Sequence, residues 1–148
     1  MSNKVIFTPD TEESGGYVQI TDQNTGEVYN CTSSTMVCDA IAAGAVAEED
    51  IPKAGAYALG MWARYDWYLG SVGPNRATGQ SAAASADTGS LIVVLEARAR
   101  SIVALAPENA ELKAAIDKVV AAGRGLFDAK QPSTVMTEGI CAAAKSIM

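Results

Sequence analysis

The sequence has 148 residues, with 11 Lys and Arg, 17 Asp and Glu and no histidine. That length fits one domain, and 49% hydrophobic residues supply a real core, which excludes a disordered chain or a scaffold held by disulfides alone. Missing histidine excludes Ser-His-Asp and Cys-His catalysis and every histidine-containing metal site, and a net charge of −6 argues against general binding to nucleic acid or anionic lipid.

The first ten residues contain no apolar run of signal-peptide length, so cytoplasmic synthesis without export is expected. Residues 5–7 read as a short strand. Residues 17–21 alternate, with Val18 and Ile20 on one face and Tyr17, Gln19 and Thr21 on the other; residues 28–32 alternate as well. Between them Asp22-Gln-Asn-Thr-Gly-Glu27 is turn chemistry, with Gly26 free to take positive φ. The spacing predicts a β-hairpin over 17–32, three-stranded if residues 5–7 join it. A lone hairpin is marginal and must pack on something.

Composition changes near residue 40. The first 39 residues hold no alanine and the remaining 109 hold all 27. Charge changes nearby: residues 1–50 carry nine acids against the single base Lys4, whereas residues 51–106 carry five bases and three acids. Helices are expected from here on. Ser33 or Ser34 caps one that runs to about Ala43 and stops at Gly44. Asp50 is placed to cap the next, with Pro52 in its first turn, running to Leu69 and ending at Gly70.

That second helix holds five of the nine aromatics in twelve residues. Tyr57, Met61, Arg64 or Tyr65 and Tyr68 follow one face, Trp62, Asp66 and Leu69 another, and Trp67 points elsewhere. One core seam cannot bury three directions, since each aromatic carries about 150–250 Å². Either the domain wraps this helix or part of it meets a partner, for which Trp, Tyr and Arg are the favoured residues. Tyr57, Trp62, Arg64, Tyr65, Trp67 and Tyr68 are therefore interface candidates. Glu48, Glu49 and Asp50 join them as part of an acidic face, although solubility and the preference of acids for helix N-termini are the plainer explanation of these three.

Residues 71–89 lack large apolar side chains except Val72 and read as a long loop or arm, with a helical piece within residues 80–86. A strong helix follows over about 90–106. Its stripe of Ile92, Leu95, Ala99, Ile102 and Ala106, widened by Leu91, Val94 and Leu105, predicts a central position, with Glu96 and Arg100 paired at i, i+4. Its charges exclude a membrane span. Pro107-Glu-Asn109 restarts the chain. Leu112, Ile116, Val119 and Val120 make the next apolar face, which Gly123 and Gly125 are expected to end or loosen. Pro132-Ser133 opens a last helix aligned on Met136, Ile140, Ala143 and Ile147, completing a helical hairpin.

The three cysteines, Cys31, Cys38 and Cys141, are an odd number with no zinc or redox spacing, so buried free thiols are expected. No P-loop, GxGxxG, HExxH or EF-hand pattern occurs. The sequence thus predicts a single α+β domain over 1–148: a β-hairpin region at 1–32, helices at 33–70, the loop at 71–89 and a helical part at 90–148. The function expected is non-catalytic: a structural or assembly protein that contacts copies of itself or other assembly proteins, as in a virion, with no cofactor, metal or membrane. The alternatives are a small acidic inhibitor or regulator of a basic partner, and a carboxylate-based enzyme.

Overall fold

The computed structural model describes residues 4–8, 17–63 and 88–147. The fold is α+β: among the described residues a three-stranded antiparallel sheet precedes five α-helices. β1 (Val5–Thr8), β2 (Tyr17–Thr21) and β3 (Val28–Cys31) lie in that order. Their register puts Val5, Ile20 and Tyr29 in one inward row and Phe7, Val18 and Cys31 in the next. The alternation in sequence is thus the alternation in burial. Gly26 takes φ +75 in the hairpin turn, and Asp22 accepts from Asn24 N–H at 2.7 Å.

Helix α1 (Ser34–Ala42) begins where Ser33 Oγ accepts from Met36 N–H at 3.3 Å. It ends where Gly44 turns left-handed at φ +77 and Ala45 N–H reaches back to Ala40 carbonyl at 3.0 Å. Asp50 does not cap the next helix as expected. It closes a 3₁₀ turn, Glu48–Asp50, that already runs in helical geometry into α2 (Ile51–Met61), so no orphan N–H is left in place for its side chain. The expected end of this helix at residues 69–70 lies outside the described residues.

Helix α3 (Thr88–Val103) starts two residues earlier than expected, taking Thr88 and Gly89 out of the predicted loop, and stops before Ala106. The rest of that loop, with its 80–86 piece, lies outside the described residues. The expected central position of α3 is not found. α2 is the hub instead, touching α1, α3, β1, β2 and both helices of the C-terminal hairpin. From Ala54 to Ala63 every residue of this stretch is buried. Small side chains explain this. A Cβ on Gly55 would collide with Leu112 Cδ1, and one on Gly60 with Ala144 Cβ, so neighbours sit directly on the α2 backbone. Among the described residues α3 packs with one side only, and Val93 is 63% exposed.

Asn109 caps α4 (Ala110–Asp128), accepting from Leu112 N–H at 2.9 Å. The helix runs straight through Gly123 and Gly125, against expectation. Gly123 is a packing glycine, where a Cβ would lie 2.7 Å from Leu95 Cδ2. The stop is Lys130, which turns left-handed at φ +60 while Gln131 N–H bonds Leu126 carbonyl at 3.0 Å. Glu96, predicted to pair with Arg100, faces Arg124 of α4 at 3.7 Å instead. α5 (Ser133–Lys145) returns against α4 and α2 with Met136, Thr137, Ile140 and Ala144 buried. Among the described residues no helix is long and apolar enough to cross a membrane.

Candidate interaction surface

The aromatic candidates divide. Tyr57 is 6% exposed and Trp62 3%, so both rings are spent on the core of their own chain. The Tyr57 ring lies 5.1 Å from that of Phe7 on β1, and its hydroxyl donates to Ile147 carbonyl at 3.4 Å, tying α2 to the residues after α5. Lys53 Nζ sits 5.8 Å from the same ring centre. Burial raises the Tyr57 hydroxyl above its ordinary pKa. Arg64, Tyr65, Trp67 and Tyr68 lie outside the described residues.

The acidic candidates come together with residues that sequence reasoning missed. Glu48 and Glu49 are exposed on the 3₁₀ turn, whereas Asp50 points inward and is 5% exposed. Across from them stand Glu108, just before the Asn109 cap, and Glu111, in the first turn of α4, and the four acidic residues line one groove of about 490 Å³ with Asn109 and Ala110. Asn109 joins the two walls. Its Oδ1 caps α4 while its Nδ2 donates to Glu48 carbonyl at 3.4 Å. Glu111 suits its place in the first turn of α4, where the helix dipole favours negative charge. The only sequence signal for this meeting was the restart at Pro107-Glu-Asn109, which says where α4 starts but not what it faces.

A second groove of about 380 Å³ continues the first, sharing Glu48, Glu108 and Asn109 and reaching Gln23 in the hairpin turn. That turn is fastened in place: Gln23 N–H bonds Ala45 carbonyl at 2.9 Å, and Gln23 Nε2 and Asn24 Nδ2 both donate to Gly44 carbonyl, at 2.8 and 3.1 Å. It brings Asp22 and Glu27 to the same end of the molecule. No family model, curated protein or solved structure matches this chain. The surfaces are therefore read from their own chemistry.

The outer face of the sheet is the other candidate. α2 covers the inner face, in contact with β1 and β2. On the outer face stand Ile6, 41% exposed, and Val28, 54% exposed, with Gln19 bonded to Asn30 at 3.4 Å between them. Sequence reasoning found the alternation but did not single out these two as outward apolar residues. β1 and β3 are the sheet's edges, and neither pairs with a further strand among the described residues. Of the thiols, Cys31 lies beneath the sheet, with its pKa pushed up to about 11 by burial, while Cys38 and Cys141 are half-buried; none is in a disulfide. Among the described residues no cluster of cysteine and acidic side chains is arranged to hold a metal ion.

Proposed function

We propose that this chain is a non-catalytic assembly subunit that joins copies of itself, or neighbouring proteins, into a larger particle such as a virion. The observation that carries this reading is the one-sided sheet. Its inner face is packed on α2, while Ile6 and Val28 stand on an outer face flanked by two edge strands that have no further partner among the described residues. Exposed strand edges are templates for pairing between chains, and apolar side chains on such a face gain free energy when another chain covers them. Light scattering across a concentration series tests it. Oligomers are expected, and Ile6→Lys with Val28→Lys should dissociate them while far-ultraviolet circular dichroism stays unchanged. A wild-type protein that remains monomeric at high concentration and recovers no partner in a pull-down rejects the reading.

The meeting of Glu48 and Glu49 with Glu108 and Glu111 favours a second reading, docking of a basic partner protein on the acidic groove. The two readings part on salt. Contacts between exposed charges are screened within about 8 Å at physiological ionic strength, whereas contacts made by apolar area persist. Binding lost in high salt and on Glu48→Gln with Glu49→Gln supports the groove; salt-insensitive association supports the sheet.

A further inference from the structure

A separate cleft opens between α1, α2 and α3, with no lining residue in common with the acidic groove. Its volume is about 170 Å³, and its walls include the apolar surfaces of Ala58, Trp62, Ile102 and Leu105. An apolar cavity of roughly 150 Å³ is large enough to take one benzene ring. The rim is cationic. Arg98 lies on it, exposed to solvent, and makes no ion pair or hydrogen bond with any described residue. Thr35, exposed in the first turn of α1 where the helix dipole is positive, lies on it too. The cleft thus pairs a space the size of one ring with a planar fork of donors and a positive helix end.

We propose that this cleft binds a compact monocarboxylate whose apolar body is one aromatic ring, with the carboxylate against Arg98. The guanidinium fork matches a planar carboxylate in bidentate geometry, and one cation with one helix end suits a single negative charge. The site lies within one chain and does not depend on the assembly reading. The test titrates the isotope-labelled full chain with benzoate and, in parallel, with benzyl alcohol, which keeps the ring and lacks the charge. The expected result is saturable benzoate shifts in the amide spectrum centred on Cys38, Trp62, Arg98 and Ser101. Arg98→Gln should weaken benzoate by about tenfold or more, and benzyl alcohol should bind no better to the wild type than to that variant. Bound benzoate should also slow alkylation of Cys38 but not of Cys141. Arg98 is exposed, so the variant should keep the wild-type spectrum elsewhere, which the same experiment reads. Absence of saturable shifts, or equal benzoate affinity in Arg98→Gln, overturns the proposal. So does Cys38 labelling that responds to protein concentration and not to benzoate, because a side chain of another copy then fills the cleft.

Discussion

Helices α2 and α3 invert what their side chains suggest. α3 is rich in leucine, isoleucine and valine, yet it lies against the rest of the described structure on one side and holds Val93 63% out in solvent. α2 is built largely of alanine and glycine, yet it is buried on all sides from Ala54 onward. The difference teaches that centrality follows from how closely neighbours can approach. A helix with large side chains keeps its partners at arm's length and serves one or two of them. A helix with small ones lets α1, α4, α5 and the sheet converge on its backbone, and those partners supply the apolar volume.

The contrast predicts where a single methyl group is costly. Gly60→Ala puts a Cβ against Ala144 Cβ and the backbone of Cys141, neither of which can turn aside, and should lose about 2–3 kcal/mol in denaturant unfolding. Gly55→Ala meets Leu112 Cδ1, the end of a side chain that can rotate, and should cost less. Equal losses at both positions would break the comparison, because the seam between α2 and α5 would then be no tighter than that between α2 and α4.

Ionisable groups in the inner layer give the next effect. Cys31 has its folded-state pKa pushed from 9.0 to about 11, and Tyr57 on α2 is raised as well, both by burial. Folding therefore holds protons that the unfolded chain releases. Stability is full below pH 9 and falls between pH 9 and 11, by on the order of 2 kcal/mol for the thiol. Chemical denaturation at a series of alkaline pH values measures the slope, and Cys31→Ala should flatten it. A slope unchanged in that variant would mean that the thiol is not what the core protects.

Smaller effects belong to the outside. Gly125 of α4 has nothing within 4 Å of a would-be Cβ, so Gly125→Ala should gain about 0.4–1 kcal/mol by stiffening the unfolded chain. Val93→Lys on α3 should change stability by less than about 0.5 kcal/mol. A larger loss there would mean that another chain covers this side of α3, and light scattering of the same variant would show the species change.

Legibility followed the range of the interaction that decides each feature. The hairpin was readable because alternation and Gly26 are local, and the start of α4 because Pro107-Glu-Asn109 restarts the chain; that Asn109 caps it came from the structure. The path of α4 through Gly123 was not, since the reason for that glycine is Leu95 on another helix. The true stop, Lys130, adopts a conformation that its residue type does not announce. The acidic groove was half legible: Glu48 and Glu49 stood out as a run, but Glu108 and Glu111 sit in a stretch of balanced charge and join them only through folding.

The bond from Tyr57 to Ile147 spans 90 residues and seals the seam between α2 and the last helix. Its consequence lies in the order of events during synthesis. The sheet, α1 and α2 leave the ribosome early, but among the described residues the side of α2 that meets Ala144 and Cys141 is covered only once α5 has emerged. The nascent chain therefore carries that side of its most densely packed helix open while α3 and α4 are being made, and its closure is a late, long-range step. A chain cut off before α5 would keep that face open, and aggregation of the fragment would be the visible sign.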